Sequence, residues 1–208
     1  MQQSKMKLTE RDIEILRFIN EFGFCEILQI EKRFAMKKPR CYQVMQRLVK
    51  EGLVIHQRIF HGRHGMFQLS RQGAKFTDLP PMSKIPIGYY EHQLLAIEVY
   101  LKCRQLYPEA AWISERILQK EKFCDGVGKR GHLSDGMLVF PDGQQIAIEI
   151  ELTKKGANRR LRILKGYGAQ FSISEVWYYC NSKLIDALRT VTEKMPFIKI
   201  HDIQEFLA

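Results

Sequence analysis

The stretch Ser134-Asp135-Gly136-Met137-Leu138-Val139-Phe140-Pro141-Asp142-Gly143-Gln144-Gln145-Ile146-Ala147-Ile148-Glu149-Ile150-Glu151-Leu152 decides the second half of the chain. From Gln145 onward the residues alternate with the two-residue period of a strand that has one face in a core. Ile148, Ile150 and Leu152 take the core side, so Glu149 and Glu151 share the other. Pro141-Asp142-Gly143 is a strong turn signal, and residues 134–140 form the partner strand. Pairing about Asp142-Gly143 sets Asp135 opposite Glu149, Ile150 or Glu151. A three-residue loop places all three carboxylates on one face, and a two-residue loop does not. Carboxylates held together repel unless a cation, a proton or water lies between them. Their hard oxygens suit Mg²⁺ or Mn²⁺, ions that activate water for phosphodiester hydrolysis. The plainer alternative is an acidic strand face turned to solvent with nothing bound.

Working outward, residues 90–101 read as a helix that ends before Pro108, and residues 111–118 as a strand. Residues 119–133 read as a polar loop with Gly126, Gly128 and Gly131, and residues near 157–169 as a basic helix. Residues 175–180 form a buried strand, residues 183–194 a helix and residues 197–200 a last strand. The order α-β-β-β-α-β-α-β describes a mixed sheet with helices packed on it.

Ahead of this lie three short helices. Thr9, followed by Glu10, Arg11 and Asp12, is an N-cap with acids in the first turn. Ile13, Leu16, Ile19 and Phe22 form the apolar face of that first helix, and Gly23 stops it. A second helix spans residues 26–34. A third starts near Lys37-Lys38-Pro39, with Pro39 in its first turn. Cys41, Val44, Met45, Leu48 and Val49 form its buried stripe. Its other face carries Lys38, Arg40, Tyr42, Gln43, Gln46, Arg47 and Lys50, donors suited to phosphates and base edges. A hairpin follows (residues 53–69), with Arg58 on its first strand and a glycine-rich tip holding His61, Arg63 and His64. Three helices and a basic hairpin predict a winged helix-turn-helix, the third helix in the major groove and the wing on the adjacent backbone. Lys37, Lys38, Arg40, Tyr42, Gln43, Gln46, Arg47, Lys50, Arg58, His61, Arg63 and His64 are the expected DNA contacts.

Charge supports this reading. The 208 residues hold 33 Lys and Arg against 23 Asp and Glu, a net of +10, which favours a polyanionic partner. Residues 1–80 hold 15 basic and 8 acidic residues, leaving 18 and 15 for residues 81–208. Three prolines (Pro80, Pro81, Pro86) mark residues 78–88 as a linker between a domain at 1–77 and another at 89–208. The five cysteines never form a C-x-x-C pair, which argues against a disulfide framework and a zinc ribbon. No run approaches a membrane span, and the N-terminus lacks the apolar run of a signal peptide. These features predict a cytoplasmic, reduced protein without a membrane partner. No G-x-x-x-x-G-K-[ST], H-E-x-x-H or G-x-S-x-G motif occurs. Tyr89, Tyr90, Tyr167, Tyr178 and Tyr179 could offer a nucleophile of the relaxase kind, but without three clustered histidines for its metal that reading is disfavoured.

Asp135, Glu149 and Glu151 on an α-β-β-β-α-β core resemble the PD-(D/E)XK nuclease superfamily, whose mark is D-(x)n-E-x-K. The whole chain resembles the replication-relaxation family of mobile elements, which includes MobC-type plasmid mobilisation proteins. The resemblance rests on short motifs: Leu8-Thr9-Glu10-Arg11-Asp12-Ile13, Leu69-Ser70-Arg71-Gln72-Gly73, His92-Gln93-Leu94, Trp112-Ile113-Ser114-Glu115-Arg116, Asp135-Gly136, Ile148-Glu149-Ile150-Glu151 and Lys165-Gly166-Tyr167. It implies an α+β protein: an N-terminal winged helix-turn-helix followed by a restriction-endonuclease-like domain. It also implies binding of double-stranded DNA in regulation, replication or mobilisation, with a homodimer and other mobile-element proteins as further partners. Asp135 and Glu149 match the motif acids, and these two with Glu151 are the expected catalytic and Mg²⁺ or Mn²⁺ ligands. Glu151 stands where the motif has lysine; the resemblance implies either that the acid itself serves there, as in some members of the superfamily, or that Lys165 in the next helix supplies the lysine. His92, Glu98 and Glu115 are accessory acid/base candidates. Three functions follow: a DNA-binding protein with a degenerate nuclease-like domain, a metal-dependent nickase, or an assembly factor with a protein-interaction module.

Overall fold

The computed structural model describes residues 7–124 and 132–208, and the glycine-bearing part of the expected loop lies outside them. The chain is a mixed α+β protein that divides into two compact units, Met1–Ile87 and Gly88–Ala208.

The first unit starts with α1 (Glu10–Phe22), capped by Thr9 and Asp12 in a reciprocal capping box that satisfies two orphan helix donors. Then come β1 (Cys25–Glu26), α2 (Ile27–Phe34), α3 (Arg40–Lys50), β2 (Val54–Gln57), β3 (Met66–Leu69) and the single turn α4 (Arg71–Ala74). The small antiparallel sheet runs β1-β3-β2. Strand β1 was not expected, since two residues carry no readable alternation. Ile15, Leu16, Ile19, Ile30, Met45 and Leu48 are fully buried and tie the three helices together. The proline-rich stretch is in part anchored to this unit. The Asn20 amide of α1 donates to Leu79 O at 2.7 Å, and Leu79 is buried.

The second unit contains α5 (Tyr90–Leu106), β4 (Ala111–Ser114), α6 (Glu115–Cys124), β5 (Gly136–Val139), β6 (Gln145–Glu151), α7 (Ala157–Gly168), β7 (Glu175–Cys180), α8 (Ser182–Thr192), β8 (Ile198–Asp202) and α9 (Ile203–Leu207). Its five strands lie in the order β4-β5-β6-β7-β8. The first three are antiparallel, and β6, β7 and β8 are parallel. The strand expected over 111–118 stops at Ser114, and helix α6 replaces its second half. Ser114 Oγ accepts the Ile117 N–H at 3.4 Å, the geometry of a serine N-cap. The helix formers Glu115, Leu118, Gln119 and Lys120 then continue the turn. The observed order is therefore α-β-α-β-β-α-β-α-β-α.

The sheet separates two cores. Ile146, Ile148, Ile150 and Tyr179 pack with Ala96, Val99 and Cys103 of α5 and Ile203 of α9. On the other face Ala147, Val176, Tyr178 and Cys180 pack with Ile163, Leu164 and Tyr167 of α7 and Leu188 of α8. Cys25, Cys41, Cys103 and Cys180 are free, buried thiols. Burial pushes Cys41 and Cys180 up to about 11 and Cys103 up to about 12. No helix among the described residues is long and apolar enough to cross a membrane.

Candidate functional site

The β5–β6 hairpin closes on three residues, Pro141-Asp142-Gly143. Phe140 N–H donates to Gln144 O at 2.9 Å, and Gly143 takes a positive φ of 88° that a side chain would strain. Its register, Gly136↔Ile148 through Val139↔Gln145, is the one that sends Asp135 toward the Glu149 side. At Asp135 the ladder changes. The Asp135 N–H donates to Ile148 O at 2.9 Å, and the backbone ladder of β5 with β6 ends at Gly136. The Asp135 carboxylate then stands in for backbone on β6, its Oδ2 accepting the Ile150 N–H at 2.7 Å.

Glu149 and Glu151 share one face of β6, as the alternation requires. That face is covered by α7 rather than by solvent, and the two residues are only 1% and 5% exposed. Donors fill the space around them. Glu149 Oε1 receives His132 Nε2 at 2.6 Å and the Tyr167 hydroxyl of α7. Lys155 Nζ lies 2.6 Å from Glu151 Oε2 and 4.0 Å from Glu149 Oε2. On the α5 side, His92 Nε2 sits 3.3 Å from Asp135 Oδ2 and 3.1 Å from Ile150 O. The His92 ring stacks on Tyr89 with centroids 4.3 Å apart. The Tyr89 hydroxyl donates to Glu115 Oε2 at 3.0 Å and reaches Asp135 Oδ1 at 3.5 Å.

The electrostatics follow from burial. Desolvation pushes the Glu149 carboxyl above its ordinary range and the Asp135 charge adds to this, while the His132 and Tyr167 bonds offset part of it. Glu115 is raised by burial and by Asp135. For His92 burial opposes the charged form, but the bond and charge of Asp135 outweigh it and the net shift is upward. The carboxylates thus sit in two hydrogen-bonded groups, His132–Glu149–Tyr167 and His92–Asp135–Tyr89–Glu115, which act on each other through charge.

A divalent cation does not fit this arrangement as it stands. Among the described residues no three His, Cys, Asp or Glu side chains form a metal-holding group. The Lys155 ammonium occupies the position between Glu149 and Glu151 that a cation would take, and the Asp135 oxygens are engaged by Ile150, His92 and Tyr89. Lys165 sits on the exposed face of α7; the lysine beside the carboxylates is Lys155. Of the accessory candidates, His92 and Glu115 join the cluster through Asp135 and Tyr89. His132 and Lys155 are not among the residues the sequence points to. Tyr89 and Tyr167 enter there only as disfavoured nucleophiles, and Tyr167 also as the last residue of the Lys165-Gly166-Tyr167 motif.

In the first unit, Lys37, Lys38, Arg40, Gln43, Gln46, Lys50, Arg58, His61, Arg63 and His64 are exposed, and Tyr42 and Arg47 are half-buried. Lys38 Nζ lies over the Tyr42 ring, 5.5 Å from its centroid. Arg40, Gln43, Val44 and Arg47 of α3 line a groove of about 570 Å³ whose other wall is Thr9–Asp12 at the start of α1. Arg47 is committed to Asp12, whose carboxylate it pairs with. Asp12 is 1% exposed, and its other oxygen accepts the Thr9 N–H at 2.9 Å. Arg47 is therefore a strut between α3 and the α1 cap. Arg47→Ala leaves a buried carboxylate oxygen without its donor, and we expect a loss of about 1–2 kcal/mol of stability, read by thermal unfolding without DNA. An unchanged melting temperature would return Arg47 to the pool of free contacts.

No family model, curated protein or solved structure matches this chain.

Proposed function

We propose that this chain is a double-stranded DNA-binding protein whose first unit is a winged helix-turn-helix, serving regulation, replication or mobilisation of a mobile element as the family resemblance implies. Its second unit is a nuclease-like fold that has lost its metal chemistry. The observation that carries the DNA reading is the path α1-β1-α2-α3-β2-β3 with β3 between β1 and β2. It is joined to a third helix whose outer face offers Arg40, Gln43, Gln46 and Lys50 and no acid. Such a helix presents amide side chains to base edges and cations to phosphates. Loss of metal chemistry is supported by Lys155, a fixed cation placed where the two glutamates would otherwise demand a mobile one.

The test is duplex binding followed by fluorescence anisotropy across salt. Lys50→Ala should weaken binding to all sequences and make the log–log salt slope shallower by about 0.9. Gln43→Ala should reduce discrimination between cognate and mismatched sites about 5- to 100-fold. If Arg40→Ala plus Lys50→Ala leaves duplex affinity unchanged at physiological salt, the winged-helix interface is wrong. Nicking of supercoiled plasmid with Mn²⁺ that disappears in Glu149→Ala would replace the degenerate second unit with an active nickase.

A further inference from the structure

The positive charge of the second unit is gathered on one element. Residues 152–174 contain Lys154, Lys155, Arg159, Arg160, Arg162 and Lys165 and not a single Asp or Glu. The rest of residues 88–208 holds eleven Lys or Arg against fifteen Asp or Glu, a net negative balance. Lys155 is taken up by Glu151. Lys154, Arg159, Arg162 and Lys165 are exposed and Arg160 half-buried, and none of these five pairs with a carboxylate among the described residues. Along α7, Arg159, Arg162 and Lys165 recur every three residues, a stripe along a helix about 18 Å long. At the end of the stripe the chain turns, with Ile173 N–H donating to Gln170 O at 3.1 Å, and Phe171 at that turn is completely exposed. An aromatic ring left wholly in water forgoes the burial that normally stabilises it by a few kcal/mol.

We infer that the outer face of α7 and Phe171 form a second nucleic-acid surface that binds single-stranded DNA, the cations tracking the phosphates and the Phe171 ring stacking on an unpaired base. A cation groove with an exposed aromatic is how single strands are held without sequence preference. A duplex keeps its base faces stacked and offers Phe171 nothing. An anionic bilayer fits less well. A surface-lying helix needs a broad apolar face for lipid, whereas Ile163, Leu164 and Tyr167 are buried in the unit's own core and Leu161 alone among the large apolar side chains of α7 is exposed. The inner side of the same helix bonds Glu149 through Tyr167, so a strand on α7 lies over the carboxylate network. The inference shares with the proposed function the premise that this protein handles DNA, but it rests on other residues.

The experiment uses the full chain with a labelled single-stranded oligonucleotide, a duplex of mixed sequence and phosphatidylserine vesicles. Arg159→Ala plus Arg162→Ala should weaken single-strand binding and flatten its salt slope by about 1.4. Phe171→Ala should weaken it about 5- to 100-fold with the slope unchanged. Both variants should keep duplex binding, which Lys50→Ala reduces. Single-strand affinity unchanged in both variants overturns the inference, as does a loss confined to the vesicles. Single-strand binding that depends on Phe171 in a chain with no duplex binding upholds the inference and removes the proposed winged-helix function.

Discussion

Gly136→Val is expected to lower the stability of the second unit by about 2–3 kcal/mol, a fall in melting temperature of roughly 10 °C. A Cβ at Gly136 would stand 2.2 Å from Cζ2 of Trp112, and the ring cannot simply swing aside. Trp112 is paired across the sheet from Leu138, and its ring meets Tyr100 edge-on with centroids 5.4 Å apart. Gly136 also directly follows Asp135, whose carboxylate accepts the Ile150 amide, so relief of the clash by backbone movement takes Asp135 away from His92. Calorimetry with tryptophan emission checks this. The expected result is a lower transition together with a red-shifted spectrum as Trp112 gains water, and an unshifted transition would show that the sheet edge yields freely.

Lys155→Ala is expected to destabilise the second unit by about 3 kcal/mol at neutral pH, because it leaves Glu149 and Glu151 facing each other with no cation between them. Lys155→Met keeps the aliphatic stem and should lose nearly as much, which separates charge from packing. The penalty has a definite pH dependence. Burial raises the Glu149 pKa above its ordinary 4.5, so the native state of the variant takes up a proton more readily than the unfolded chain. The deficit is full above the native-state pKa and shrinks as pH falls through it. Mn²⁺ should raise the melting temperature of Lys155→Ala and leave the parent unmoved, since removing the ammonium frees hard oxygens for a dication. A parent protein stabilised by Mn²⁺ to the same extent would mean that Lys155 is displaced in solution and that the site is a metal centre after all.

The alternation of residues 145–152 and the Pro141-Asp142-Gly143 turn made the central hairpin legible, because strand period and turn chemistry are local. The same pattern could not say whether Glu149 and Glu151 face water, since their cover is α7, whose Tyr167 lies 18 residues beyond Glu149. His132, 17 residues before Glu149, and Asp12, 35 residues before Arg47, were out of reach for the same reason. Spacing shows which residues share a face, and only packing shows what stands opposite. Helix α6 was hidden differently. Trp112-Ile113 and Ile117-Leu118 suit either a strand or a helix, and the deciding signal was the single cap at Ser114. Lys155 escaped notice because a lysine just past a strand end reads as ordinary surface until its stem folds back along that strand.

Two pairs of sheltered sulfhydryls, Cys25 with Cys41 in the first unit and Cys103 with Cys180 in the second, are weak nucleophiles while folded, because burial keeps them protonated. An alkylating reagent would reach each pair only when its own unit breathes open. The chain thus carries separate chemical clocks for its two halves, by which the unfolding of the first unit could be timed apart from that of the second.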